Sequence, residues 1–371
     1  VRTIVVSDLH LGARQGRARL HDPDVLATLT SALAGADRLV LLGDVVELRQ
    51  GPLPEAFAAA LPILSAIGDA LGPGREVVLV PGNHDHHLLE SWSARLAAAG
   101  PPPELGLSAE IDWVPGEPLA ALAGALGRGG ASVTARYPGV WLRDDVYAMH
   151  GHYLDRHTTV PILERLSAGF TARALRQPLG SLARAEDYEA TLVPTYAWIH
   201  AMAQARAASP PLARPVGEPG EHGSMSIWRA LNGDRRASRL RRCWLGAGVR
   251  GAVIAVNRLG LGPVRPDLST AALRHSSLIA FGEVLSALSV PARYALFGHS
   301  HRAGPLPADD QSEWTAPAGA RILNTGCWVS EPDFVGRKIA TSPYRAGFAA
   351  TVEDGSDPPI LHNLLDPAPP G

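Results

Sequence analysis

Five short polar clusters carry residue types that hold divalent cations: Asp8-Leu9-His10, Gly43-Asp44, Gly82-Asn83-His84-Asp85, His150-Gly151-His152 and Gly298-His299-Ser300-His301. Carboxylate oxygen, amide oxygen and neutral imidazole nitrogen are the donors that hard and borderline metals accept. Asp8 and His10 are two apart, and alternate residues of an extended segment project to one side, so both would grip one cation. Asp44 has two oxygens, and one shared carboxylate is the simplest way to hold two cations the ~3.5–4 Å apart that two-metal hydrolysis uses. Asn83 adds a carbonyl oxygen, and His150, His299 and His301 add nitrogens. Taken singly, each of these residues reads as a turn, cap or structural residue. Five clusters in one context read as a site for two neighbouring cations, and a metal-dependent hydrolase is the first expectation.

The elements that position the clusters are legible in the pattern. Thr3-Ile4-Val5-Val6, Leu39-Val40-Leu41-Leu42 and Val77-Val78-Leu79-Val80 are short apolar runs, each ending in a polar cluster, with Ala/Leu-rich helical stretches between them. That order predicts a largely parallel, buried sheet with its chemistry at the carboxyl ends of the strands. Ser132 to Tyr137 and Val140 to Met149 read as paired strands around Pro138-Gly139, the second delivering His150, and Tyr294 to Phe297 deliver His299. Arg321 to Asn324 and Gly347 to Val352 read as strand, turn and strand, so a second sheet is expected. From about Tyr153 to Val290 the strand signal fades. Helical stretches such as Arg184 to Ala207, interrupted at Pro194, and a Pro-rich break from Ser209 to Pro219 replace it. The expected organisation is one α/β domain over residues 1–371 with a helical cap inserted at 153–290.

Composition bounds the function classes. The chain of 371 residues is 46% hydrophobic and 19% charged, with a formal net charge of −2. These values describe an ordinary soluble core and give no global attraction to nucleic acid. Cys243 and Cys327 cannot make a disulfide framework, and no basic-then-apolar leader precedes the first strand, so a cytoplasmic location is the default expectation. No charge-free apolar run reaches the ~20 residues of a membrane span.

The five clusters resemble the motifs of the calcineurin-like metallophosphoesterases, which are D-x-H, G-D, G-N-H-D or G-N-H-E, a later H, and G-H-x-H. The resemblance spans residues 4–150 and roughly 290–352. It implies an α/β sandwich of two mixed β-sheets flanked by helices, with a binuclear metal centre at the strand ends. Carried over, Asp8, His10, Asp44 and His301 would bind one cation and Asp44, Asn83, His150 and His299 the other, with Asp44 as the bridge. Manganese is the first expectation, with iron, zinc, nickel, cobalt or magnesium as the other candidates. The implied reaction is hydrolysis of a phosphate ester, mono- or diester, by in-line attack of metal-bound hydroxide on phosphorus. His84, left out of the ligand set, would protonate the leaving oxygen, and Asp85 would orient His84 and raise its pKa. His152 would touch the substrate or a carboxylate such as Asp155. Asn324-Thr325-Gly326-Cys327-Trp328 is similar to the N-T-G-S-W element of the UDP-diacylglucosamine pyrophosphatase branch, with Cys327 read as packing. That makes a lipid-linked or nucleotide-sugar pyrophosphate the runner-up substrate. A non-catalytic metal-binding scaffold is the alternative of a different class.

Between Met225 and Arg265 nine arginines, among them Arg235, Arg236 and Arg239, face one acid, Asp234, with Trp228 and Trp244 interleaved. The pattern suits contact with an anionic membrane surface or a lid that clamps phosphate, and a solvated helical face is the plain alternative.

Overall fold

The protein is described by a computed structural model over residues 1–208, 250–267, 269–336 and 339–367. It divides into two compact units, Val1–His152 with Val290–Thr315 and Gly319–Gly371, and Tyr153–Ser289 with Ala316–Ala318.

In the first unit, β1 (Arg2–Val6), β2 (Arg38–Leu42) and β3 (Glu76–Val80) lie parallel, with Val5 opposite Val40 and Val40 opposite Val78. Helices α1 (Pro23–Leu33) and α2 (Leu53–Leu71) make the returns, and α3 (Glu90–Ala99) and α4 (Pro118–Leu126) follow β3 in the chain. Successive side chains on these strands point to opposite faces, and both faces are covered, which is why the sequence reads as unbroken apolar runs. Ile4, Val6, Leu39, Leu41, Val77 and Leu79 pack with Leu29, Leu33, Leu64 and Ile67 of the helices. Val5, Val40, Val78 and Val80 face the other way.

The remaining strands are β4 (Ser108–Glu110), β5 (Ser132–Arg143), β6 (Val146–Met149), β7 (Tyr294–Phe297), β8 (Arg321–Asn324), β9 (Phe348–Glu353) and β10 (Ile360–Asn363). Hydrogen bonding runs β10-β9-β1-β2-β3-β5-β6-β7-β8, with β4 on the side of β5. Strand β5 joins two sheets: Ser132 to Ala135 pair in parallel with β3, and Gly139 to Arg143 pair antiparallel with β6. Val140, Leu142, Ala148, Leu296 and Leu323 of the second sheet pack on Val5, Val40, Val78 and Val80 of the first, forming the interior of a sandwich. Each buried Val or Leu contributes about 1.5–3 kcal/mol, so this layer fixes both sets of strand ends against each other.

Two expectations are corrected here. The chain does not turn at Pro138-Gly139; β5 passes straight through, and the reversal falls at Asp144 and Asp145. Pro138, which has no N–H to give, sits where β5 changes partner, between Ala135 facing β3 and Gly139 facing β6. Nor do Arg321–Asn324 and Phe348–Glu353 pair with each other, since β8 ends the second sheet and β9 lies beside β1. Helix α2 is long and apolar enough to cross a membrane by length and composition. Ala56, Ala60, Ile63, Leu64, Ile67 and Leu71 bury its inner face, which makes it a core helix of this unit.

The second unit has no strand among its described residues. It contains α5 (Leu163–Ala174), α6 (Ala185–Ala208), a helical segment at 250–258, and α7 (Thr270–Ala287). Tyr153 stacks on Tyr188 with ring centroids 4.6 Å apart. The expected interruption at Pro194 is absent, because α6 continues through it and gives up one backbone bond there. The Pro-rich break and Arg229, Arg235, Arg236, Arg239, Arg241 and Arg242 lie outside the described residues.

Candidate metal centre

The loops after β1, β2, β3, β6 and β7 bring all seven sequence-derived donors to one place. Seven non-glycine residues have positive φ among the described ones, and five of them are Asp8, His10, Asp44, His299 and His301. Left-handed backbone at Asp and His is uncommon and marks a sharp change of direction. Asp8 and His10 are therefore not on an extended segment as expected. Their loop is tied to the loop after β2 by Asp8 N–H to Gly43 carbonyl at 3.0 Å and His10 N–H to Asp44 carbonyl at 2.8 Å. The motif glycines have a steric reason. A Cβ at Gly43 would collide with the His150 ring, and one at Gly298 with the Asp8 carboxylate.

One carboxylate oxygen sits at the middle. Asp44 Oδ2 lies 3.7 Å from His10 Nε2 and 3.2 Å from His150 Nε2. On the first side, His301 Nε2 is 3.3 Å from Asp8 Oδ1 and 3.1 Å from His10 Nε2. On the second, Asn83 Oδ1 is 3.2 Å from His150 Nε2 and 3.1 Å from His299 Nδ1. Within each of the groups Asp8, His10, His301 and Asp44, His150, His299, the ligand atoms lie within 4.8 Å of one another. These donors fit two divalent cations sharing Asp44. Turned the other way, the Asn83 amide would accept from Arg49 Nη1 at 2.9 Å and donate to Asp44; a cation among Asp44, His150 and His299 would instead hold its oxygen facing inward.

Electrostatics point the same way. Burial disfavours the charged Asp44, yet the neighbouring His150 and His84 outweigh it and hold the carboxyl well below the usual range. Burial likewise opposes a charge on His150, but the Asp44 carboxylate pushes this imidazole up to about 9. His301 is raised well above its ordinary value against burial, by hydrogen bonds to Asp8 and Glu331. A buried acidic centre that draws protons onto its histidines is one that divalent cations would occupy in their place.

The outer groups hold the donors in position. His150 Nδ1 donates to the Leu42 carbonyl at 3.0 Å, and His301 Nδ1 to Glu331 Oε1 at 3.0 Å. His10 Nδ1 donates to Glu47 Oε2 at 3.1 Å.

Three assignments change. Asp85 does not reach the His84 ring. It is buried, and its carboxylate accepts from the N–H groups of Gly82 and Val45, each at 2.7 Å, and from Asp44 and Val46, each at 3.3 Å. Burial and the nearby Asp44 charge raise its pKa. The partner of His84 is Glu47, whose Oε2 lies 2.7 Å from His84 Nδ1. The sequence reading missed Glu47. An acid three residues past Asp44, inside the otherwise apolar Val45-Val46-Glu47-Leu48, was the available signal. His152 is wholly buried behind His150, with Nε2 3.0 Å from the Tyr137 hydroxyl, so it does not face substrate. Burial and the charges of His150 and His86 hold it well below its ordinary pKa. The third change adds Arg49, also missed, whose Nη1 is 3.3 Å from His84 Nε2.

The Asn324-to-Trp328 element is a brace. Asn324 Nδ2 donates to the Gly298 carbonyl at 2.8 Å, Ser7 and Thr325 hydroxyls are 2.7 Å apart, and Trp328 N–H meets the Asp8 carbonyl at 3.0 Å. Cys327 is buried with its thiol pushed up to about 12 by burial, so it is packing and no nucleophile.

Residues 1–183 match the family of calcineurin-like phosphoesterases. His299 and His301 lie beyond the matched part and join it through the geometry. No curated protein matches the chain. Among solved structures, a cold-active protein-tyrosine phosphatase of a psychrophilic Shewanella species is 13% identical over 95% of this chain and 75% of its own, with a TM-score of 0.27. A dimetal phosphatase from Danio rerio is 13% identical over 98% of each chain, with a TM-score of 0.36. Likenesses this distant leave the weight on the family match and on the donors themselves. Residues 1–183 are a calcineurin-like phosphoesterase domain, the mark of a phosphoester-hydrolysing enzyme.

Proposed function

We propose that this enzyme hydrolyses phosphate mono- or diesters at a centre of two divalent cations shared by Asp44. The observation that carries this reading is the Asp44 carboxylate oxygen lying between His10 on one side and His150 on the other, at 3.7 and 3.2 Å. When bound, the cations supply Lewis-acid charge to phosphoryl oxygens and acidify water.

The chain's own groups do the rest. His84 Nδ1–H donates to the Glu47 carboxylate, which directs Nε2 of that ring outward, and 22% of the His84 side chain stays exposed. In its imidazolium form His84 donates the Nε2 proton to the leaving oxygen. Arg49 Nη1, beside His84 Nε2, offers an N–H to a phosphoryl oxygen and balances its growing charge. Asp85 holds the loops carrying Asp44 and Asn83 together, so that these donors need no rearrangement.

Manganese is the metal we favour for a first trial. Hydrolysis of p-nitrophenyl phosphate and bis-p-nitrophenyl phosphate by the manganese-loaded protein tests the reading. Turnover of neither ester by protein with metal bound would end it.

A further inference from the structure

The hydrolytic machinery leaves the arginines of the helical unit unused, and their placement among exposed apolar side chains follows a pattern. In the helical segment 250–258, Arg250, Ile254 and Arg258 are four apart and exposed, while Val253 is buried. Helix α5 repeats the arrangement. Its buried face is Arg165, Ala168, Gly169 and Ala172, and Phe170 and Arg173 are exposed on the other side, followed by exposed Leu175 and Arg176. Phe170 is 68% exposed, Leu259 59%, Leu175 54% and Ile254 52%, so four large apolar side chains on these two segments stand in water.

The two segments adjoin. A Cβ on Gly260 would lie 3.0 Å from Arg173 Nη1, and one on Gly169 would lie 2.6 Å from the Leu261 carbonyl. Leu259 and Phe170, each next to one of these glycines in the chain, therefore belong to segments in direct contact. No Asp or Glu occurs from Leu166 to Ala185 or from Arg250 to Pro266, so every charged side chain on these stretches is an arginine.

Clustered exposed apolar side chains mark a contact surface, and the chemistry around them selects the partner. Leu175, Ile254 and Leu259 offer no ring on which a base could stack, which disfavours nucleic acid. A second copy docked through the same patch would set these arginines against themselves. A bilayer containing anionic lipid satisfies both components. Its acyl layer receives the apolar side chains, and its phosphates meet the guanidinium groups, whose aliphatic stems lie along the apolar boundary.

We propose that this acid-free surface of the helical unit, built from α5 and residues 250–259, docks on an anionic lipid bilayer. Phe170 and Leu259 enter the apolar layer, and Arg173, Arg250 and Arg258 meet the lipid phosphates. None of these residues is a donor of the metal centre, so the surface stands whether or not the hydrolytic reading does.

The test is sedimentation of the metal-loaded full chain with phosphatidylcholine vesicles, with and without phosphatidylglycerol. Vesicles containing phosphatidylglycerol should bind at least about tenfold more tightly than neutral ones, and added salt should weaken that binding. Phe170→Ser combined with Leu259→Ser should lower the affinity about tenfold and keep the salt dependence. Arg250→Gln combined with Arg258→Gln should lower it by a similar factor and flatten the salt dependence. All four side chains are exposed, so the melting temperature and the turnover of p-nitrophenyl phosphate, a soluble ester, should stay unchanged in both double variants.

No binding to phosphatidylglycerol vesicles overturns the proposal. Binding that both double variants leave intact puts the contact on another part of the chain and overturns it as well. Self-association abolished by the Phe170 and Leu259 pair, or binding to polyglutamate with none to vesicles, would assign the surface to a second copy or to an acidic protein instead. If hydrolysis itself is absent, sedimentation still decides.

Discussion

Glu47 Oε2 lies 2.7 Å from Nδ1 of His84, and the same oxygen lies 3.1 Å from Nδ1 of His10. One buried carboxylate thus orients both a metal donor and the group placed to move a proton. Burial alone would raise the Glu47 carboxyl; the charges and hydrogen bonds of His84 and His10 overcome that and keep it ionised far below neutrality. In Glu47→Gln the imidazolium of His84 loses its counter-charge. The expected result is kcat lowered roughly 10- to 100-fold on an ester with a poor leaving group, a smaller loss on p-nitrophenyl phosphate, and bound metal retained. His84→Ala should fall in the same range, and the double variant should be little worse than either single one. Additive losses would show that the two residues act separately.

Asp44→Ala should remove metal and activity together, since its carboxylate oxygen faces donors of both groups. Metal analysis of the purified variant beside its turnover is the measurement. Full metal content with lost turnover would contradict a shared ligand.

Metal affinity should fall as pH falls. His150, raised to about 9, and His301, raised well above its ordinary value, bind protons in the metal-free centre and must release them to bind a cation. Below those pKa values protons compete, so affinity weakens by up to about tenfold per pH unit for each proton released. Above them the dependence flattens. Metal titrations from pH 9 to pH 6, in buffers of different ionisation enthalpy, would count the protons. A constant Kd across that range would remove the argument.

Asp85→Ala should act on stability first. Four buried backbone N–H groups lose their acceptor, and leaving a buried donor unsatisfied costs about 1–3 kcal/mol each before relaxation. A destabilisation of about 2–5 kcal/mol, read as a lowered melting temperature or denaturation midpoint, is the expectation. An unchanged melting temperature with lost activity would return Asp85 to a direct role in the chemistry.

Gly43→Ala probes the site without touching a donor. Gly43 has φ of 82°, and a Cβ there meets the His150 ring. The variant should fold, lose affinity for the metal on the Asn83 side, and lose activity. Circular dichroism beside metal content checks it, and an unperturbed metal complement would show that His150 has room to move.

The sequence by itself determined the donors and the order of the elements that carry them. Asp8, Asp44 and Asn83 each follow an apolar run, and such a run ending in a polar cluster defines both a buried parallel strand and its functional end. Those signals are local in the chain. The tertiary structure decided what depends on distance. Glu47 reaches His84 across 37 residues, and Asp85 spends its carboxylate on backbone 39 to 41 residues away. Neither partner choice is written in the spacing of Asn83-His84-Asp85. The Pro138-Gly139 pair reads locally as a turn, yet β5 runs through it because β3 claims the backbone before it and β6 the backbone after. The charge of Arg165 was visible in the sequence, but its complete burial was not, since only packing in three dimensions removes a side chain from water.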